Sequence, residues 1–105
     1  MKQKITRIGI LGAAGKMGRE ITRQISNRED CEVGVAVEKN DSPFLGLDSG
    51  DLAGVHPNGC CITDSLDAFL GNVDVLIDFS IPESTLNTVR FCYDNRLPIV
   101  IGLSL

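Results

Sequence analysis

The sequence is poor in several residue types. It has no tryptophan, one histidine and one tyrosine among 105 residues, and aromatic residues make up only 5% of it. No apolar run approaches the roughly 18 residues of a membrane-spanning helix, which excludes a helical span. Basic residues are in deficit, with 10 Lys and Arg against 14 Asp and Glu and a formal net charge of −4. That balance has the wrong sign for a protein that binds a phosphate backbone, so nucleic acid is excluded as a partner. Cys31, Cys60, Cys61 and Cys92 show no CxxC spacing. The adjacency of Cys60 and Cys61 disfavours an ordinary disulfide framework, so reduced, buried or incidental thiols and a cytoplasmic location are expected. The lone His56 sits in a Val-His-Pro loop, far along the chain from three of the thiols, so the clustering that a metal site needs is missing. His56 is expected to be solvated or structural. Internal repeats, charge blocks and low-complexity tracts are likewise missing.

What remains is an ordinary globular composition, 43% apolar and 23% charged with 11 glycines, enough for one domain over residues 1–105. The basic start followed by an apolar stretch raises the question of a secretion signal. Residues 8–14, however, already contain Gly9 and Gly12, and Lys16, Arg19 and Glu20 follow where a cleavage region would lie. The beginning of the chain is therefore read as part of the fold.

Hydrophobic periodicity orders the chain into alternating elements. Residues 5–11 form a short apolar run ending in glycines, as in a buried parallel strand. From Lys16, the residues Met17, Ile21 and Ile25 recur every fourth position, which predicts an amphipathic helix to about Asn27 with those three on its buried side. Residues 32–37 are β-branched and predict a second strand. Residues 39–58, rich in Gly, Pro, Asp and Ser, predict a long loop with one turn of helix. Residues 60–63 then read as a short strand, 65–70 as a short helix and 73–79 as a further strand. Ser80, Ile81, Pro82 and Glu83 have the form of a capping box for a helix running to about Asn95, with Leu86, Val89 and Tyr93 on one face and Cys92 beside them. Residues 98–101 start a last strand, whose Ile99, Val100 and Ile101 are expected at an exposed apolar edge. Strands alternating with helices predict an α/β fold, a doubly wound parallel sheet of Rossmann type.

Gly12, Ala13, Ala14, Gly15, Lys16, Met17 and Gly18 fall between the first strand and the first helix. In that context Gly12 permits a tight turn, Gly15 keeps side-chain bulk away from a pyrophosphate, and Gly18 lets helix and strand pack closely. The helix N-terminus then faces an anion. A plain βα turn would use the same glycines. The second strand ends in Glu38, about twenty residues after Gly18, where dinucleotide folds place a ribose-binding acid. A carboxylate there accepts hydrogen bonds from ribose hydroxyls and repels a 2′-phosphate, while the neighbouring Lys39 offsets the repulsion; NADH and NADPH are both expected ligands. Glu38 also reads as a solvated strand end, and Lys39 as a solvated loop charge.

The segments GAAGKMGRE, VAVEK, SPFLGLDSGDLAG, DFSIPESTLN and IVIG, in this order and spacing, make the chain resemble the dihydrodipicolinate reductase family of bacterial lysine and diaminopimelate synthesis. The resemblance implies cofactor contacts at Gly12, Ala13, Ala14, Gly15, Lys16 and Met17, at Glu38 and Lys39, at Phe79 and Ser80, and at Gly102, Leu103 and Ser104. Phe79 also reads as core and Ser80 as a helix cap. The family continues Gly-Thr-Thr-Gly where this chain has Gly102, Leu103, Ser104 and Leu105. By resemblance the intact enzyme passes a hydride from NAD(P)H to a cyclic dicarboxylate derived from 4-hydroxy-tetrahydrodipicolinate. The family binds that dicarboxylate, supplies acid chemistry and builds its homotetramer through a second domain that these 105 residues do not contain, so no catalytic residue is assigned here. A non-catalytic dinucleotide-binding module is the alternative. A homoserine-dehydrogenase-like reductase would share the glycines and Glu38, but DFSIPESTLN argues against it.

Overall fold

Four short apolar runs become the strands of one sheet: β1 (Thr6–Leu11), β2 (Cys31–Val37), β3 (Val75–Asp78) and β4 (Ile99–Ile101). The computed structural model describes residues 4–80 and 82–102, and the backbone alone at 82–85. All strand neighbours pair in parallel, in the order β2-β1-β3-β4. The helix α1 (Lys16–Ser26) joins β1 to β2, and α3 (Pro82–Asp94) joins β3 to β4. Between β2 and β3 the chain forms α2 (Ser49–Leu52) and a 3-10 turn, Leu66–Phe69. The sheet therefore grows one way from β1 to β2 and the other way from β3 to β4. Its direction of winding reverses between β1 and β3, the position at which open α/β sheets leave a crevice at their carboxyl ends.

Both faces of the sheet are covered, as parallel sheets require. On one face Ile10, Ala36 and Ala13 pack with Ile25 of α1 and with Ile62. On the other, Leu11, Val35, Val37 and Leu76 pack with Phe69 of the 3-10 turn and Cys92 of α3. The pairing of β1 with β2 shifts between Ile8 and Gly9, so that Ile8 faces Val33 while Gly9 faces Val35. Gly34 is the extra residue of this bulge. An extra residue reverses the in-out alternation, and accordingly Cys31 and Val33 pack on the α1 face while Val35 and Val37 pack on the other. A Cβ at Gly34 would lie 2.7 Å from the Asn72 carbonyl oxygen, which is why the bulge holds a glycine.

Two expected helix faces are corrected. In α1 the fully buried positions are Gly18, Thr22 and Ile25, with Ile21 partly buried, whereas Met17 is exposed. In the first turn it is Gly18, not Met17, that meets the backbone of Gly12 and Ala13, so the buried side runs through Gly18, Thr22 and Ile25. In α3, Leu86 and Tyr93 are 68% and 83% exposed, and Thr88 and Cys92 face the sheet, with Phe91 packed beside them. The apolar residues of α3 are spread around the helix, so their spacing did not mark the buried side. The expected strand at 60–63 is reduced to isolated bridges, Val37 to Thr63 and Asp48 to Cys61. His56 is exposed in the loop after α2. The part of the capping box assigned to Glu83 lies outside the described side chains.

Candidate functional site

The crevice at the carboxyl edge of the sheet is a cleft of about 500 Å³. Its floor comes from the ends of β1 and β2, Leu11 and Val37, and its rim from Gly12, Gly15, Glu38 and Lys39 on one side of the switch point. Phe79 and Ser80, which follow β3, and Asn87 and Thr88 of α3 line the other side. Asp64 and Leu66 complete the wall beside Lys39.

The turn after β1 shows why its residues are small. Gly12 has φ +86°, a left-handed conformation that L side chains rarely adopt, and a Cβ there would approach the Phe79 carbonyl carbon to 3.0 Å. The Gly12 and Ala13 amides both donate to the Val37 carbonyl, at 2.9 and 3.2 Å, binding the turn to the end of β2. Ala13 is buried in the core beneath. Gly15 is the N-cap of α1 and supplies no side chain to bond the amides of the first helical turn. Lys16 and Met17 stand exposed on that turn. The donors at this helix end thus keep their capacity for an anion.

Glu38 makes a contact that sequence reasoning missed. Its Oε2 accepts the Ala14 amide at 2.8 Å, so the carboxylate is tied to the glycine turn, while its own amide donates to the Thr63 carbonyl at 2.9 Å. Spacing along the chain put Glu38 at a strand end; only the sheet order brings it against Ala14. Oε1 lies 3.4 Å from the Lys39 amide and retains acceptor capacity toward the cleft.

On the far side, Phe79 is anchored by its amide, which donates to the Leu11 carbonyl at 2.8 Å. Its ring lies over Gly102, where any Cβ would run into it. The Gly102 amide donates to the Asp78 carbonyl at 2.9 Å. Asp78 itself is 1% exposed. Its Oδ1 accepts the Ser80 amide at 2.7 Å and also the Ser80 hydroxyl, whereas Oδ2 has no hydrogen-bond partner among the described residues. Burial pushes the Cys92 thiol up in pKa, and the Asp78 charge adds to the effect.

Of the residues singled out from the sequence, Gly12, Gly15, Glu38, Lys39, Phe79 and Ser80 come together around the cleft. Ala14 joins them through Glu38, and Gly102 through the Phe79 ring. Leu103 and Ser104 lie outside the described residues. Asp64, Leu66, Asn87 and Thr88 were missed. Asp64 and Leu66 reach the cleft because Thr63, just before them, bridges to Val37, a contact distant in sequence and invisible to periodicity. Thr88 had a local signal: it is a polar residue on the side of α3 that also carries Cys92.

The residues fit a dinucleotide. A glycine turn and an uncapped helix end form a cradle for a pyrophosphate, an acid and a cation stand on one side, and a half-buried aromatic ring on the other. Similarity to known proteins points the same way. The family described as dihydrodipicolinate reductase, N-terminus, matches residues 6–103. A 4-hydroxy-tetrahydrodipicolinate reductase of Alkalilimnicola ehrlichii is 41% identical over 97 residues, covering 92% of this chain and 36% of that protein. The chain therefore spans about a third of the length of that relative. Among solved structures, the dipicolinate-bound dihydrodipicolinate reductase of Paenisporosarcina sp. TG-14 superposes with a TM-score of 0.70 at 24% identity, covering 93% of this chain and 37% of the other. Aspartate semialdehyde dehydrogenase with NADP from Candida albicans gives a TM-score of 0.74 at 16% identity, covering 96% of this chain and 30% of the other, a likeness of fold alone. With the family matched over residues 6–103, and 92% of the chain aligned at 41% identity to a reductase, the chain belongs to the dihydrodipicolinate reductase N-terminal family.

Proposed function

We propose that this chain is the NAD(P)H-binding part of a 4-hydroxy-tetrahydrodipicolinate reductase, acting in the cytoplasm in lysine and diaminopimelate synthesis. The observation that carries the reading is Glu38 bonded to the Ala14 amide of the glycine turn, which sets an acceptor for ribose hydroxyls beside a pyrophosphate cradle. Gly12, Ala13, Ala14 and Gly15 shape the cradle, and the amides of Lys16 and Met17 receive the phosphates. Glu38 and Lys39 take the adenosine ribose. Phe79, Ser80 and Gly102, together with Leu103 and Ser104, hold the nicotinamide half. A bound nicotinamide supplies the hydride. The chain's own residues bind it, orient it and shield one side of it from water.

The dicarboxylate substrate and the homotetramer belong, in this reading, to the whole protein. The described cleft supports that division: the titratable side chains that line it, Glu38, Lys39 and Asp64, gather on the β2 side, and the carboxyl beside Phe79 and Ser80, Asp78, is buried behind the lining. Titration of NADH and NADPH into the chain, followed by calorimetry, tests the reading. Binding of both is expected, weaker than in an intact reductase. No heat and no chemical-shift change at millimolar NADH, in a sample shown to be folded, would overturn it.

A further inference from the structure

In the described sheet β2 is the outermost strand on its side, so its outward amides and carbonyls need partners that β1 cannot supply. At its carboxyl end one residue supplies them. The Thr63 amide donates to the Ala36 carbonyl at 3.0 Å and the Thr63 carbonyl accepts the Glu38 amide at 2.9 Å, which makes Thr63 a one-residue parallel strand outside Val37. Glu38 is therefore held from two sides, its carboxylate by the Ala14 amide at 2.8 Å and its own amide by Thr63.

Thr63 is held in turn by the loop that ends in it. The limbs of that loop pair with each other: the Gly46 amide donates to the Ile62 carbonyl at 2.8 Å, the Ile62 amide to the Leu47 carbonyl at 2.9 Å, and the Ser49 amide to the Cys60 carbonyl at 2.9 Å. Such short pairing must hold a loop that runs from Lys39 to Ile62 against its closure entropy. Asp48 closes it. Oδ1 accepts the Asp51 and Asn58 amides at 2.9 and 3.1 Å and Oδ2 accepts the Gly59 amide at 2.8 Å, so one carboxylate fastens the outgoing limb to the returning one. Asn58 tightens the same knot, its Oδ1 accepting the Cys60 amide at 2.9 Å. The knot needs an acid: an asparagine at position 48 would set its NH₂ against the Gly59 amide, donor against donor.

We infer that Asp48 is a positioning residue for cofactor affinity: through the paired limbs and Thr63 it fixes the backbone of Glu38, and with it the acceptor offered to the adenosine ribose hydroxyls. This inference rests on the dinucleotide reading and extends that site to a side chain outside the cleft lining. A carboxylate already fixed before the ligand arrives leaves less ordering to be done on binding, which is the gain in affinity.

ADP-ribose carries the adenosine ribose and the pyrophosphate without the nicotinamide, so its titration into the chain reads this half of the cleft. Asp48→Asn should weaken it about five- to tenfold, with circular dichroism showing the variant folded at the temperature of the titration. In a Glu38→Ala background, where the acceptor is gone, the same substitution should change affinity by less than about twofold; a residue that only supports the fold would weaken both backgrounds alike. Hydrogen exchange on the ligand-free chain gives a second readout: the Glu38 amide should exchange at least about fivefold faster in Asp48→Asn, while the Gly12 amide, bonded to Val37, keeps its rate. Asn58→Ala loosens the knot from the returning limb; it should show the same pattern with a smaller loss, and it decides the matter if Asp48→Asn does not fold. A folded variant that binds ADP-ribose as tightly as the wild type would overturn the inference, as would equal losses with and without the Glu38 carboxylate or an unchanged exchange rate at Glu38. Each of these leaves the dinucleotide reading standing, since the wild type still binds. Failure of the folded wild-type chain to bind ADP-ribose would bring down that reading, and the inference with it.

Discussion

Gly15 and Gly18 stand three residues apart, yet a methyl group would meet different surroundings at each. At Gly18 it would run into the Gly12 carbonyl oxygen and lie 2.8 Å from the Ala13 Cα, all backbone that cannot step aside. At Gly15 its one neighbour is the Gly12 carbonyl oxygen at 3.4 Å, an ordinary contact. Gly18→Ala is thus expected to destabilise the fold by about 1–3 kcal/mol, the usual cost of overpacking, seen as a lower denaturation midpoint. Gly15→Ala should leave the midpoint nearly unchanged and weaken NADH, because the added methyl faces the pyrophosphate. Lys39 gives a charge test at the same scale. It lines the cleft beside Glu38, and only NADPH brings a 2′-phosphate there. Lys39→Ala should cost NADPH about 1–2 kcal/mol, roughly five- to thirtyfold in affinity, with NADH little changed and the difference shrinking as salt rises. Equal loss for both cofactors would point to a pyrophosphate contact instead.

Elements show where local pattern succeeded and where it failed. The glycine turn, the boundaries of α1 and the single helical turn within the long loop follow from local chemistry, and each is present. The face of α3 does not, because Leu86 and Tyr93 are apolar but point away from the sheet. The bulge at Gly34 was equally hidden, since a strand read by itself has no register. The segment after Leu47 is held by Asp48, whose carboxylate accepts the amides of Asp51, Asn58 and Gly59 at 2.9, 3.1 and 2.8 Å. These bonds, the Asp51 amide first, hold its pKa below the ordinary carboxylate range. A carboxylate held low contributes stability above its ordinary range, and the contribution is lost as pH falls through the folded value. Asp48→Asn should therefore melt below the wild type at pH 7, and the two melting temperatures should start to converge as pH falls below about 4, the ordinary carboxylate value, and meet only below the lowered folded value, where the native carboxyl is itself neutralised.

At the scale of the whole molecule, the order β2-β1-β3-β4 leaves β4 at an edge, with Val100 and Ile101 exposed. An apolar edge with unpaired amides is a template for another strand. Sedimentation velocity should show dimers or larger species growing with concentration, and Val100→Lys should shift them toward monomer. A wild-type chain that remains monomeric at high concentration would remove β4 as a pairing edge. The titratable groups that line the described cleft, Glu38, Lys39 and Asp64, lie on its β2 side, and in the proposed reading the substrate chemistry belongs to the whole protein. Mixed with NADPH and dihydrodipicolinate, the chain is expected to show no absorbance loss beyond an enzyme-free control.

What the sequence determined by itself was whatever depends on neighbours along the chain. Four apolar runs, a glycine turn followed by an amphipathic helix, and an acid at the end of the second strand were legible because strand and helix periods, turn conformations and short spacings are local properties. Tertiary structure decided the rest. It joined Glu38 to Ala14, brought Asp64 and Leu66 to the cleft through the Thr63 bridge, and reversed the alternation of β2 at Gly34. It also buried Asp78 at the switch point with one oxygen lacking a hydrogen-bond partner among the described residues. The reason is physical: each of these depends on which strands lie side by side and in what register, and pairing between distant segments is set by burial of the whole sheet between its two layers, to which no short stretch of sequence bears witness alone.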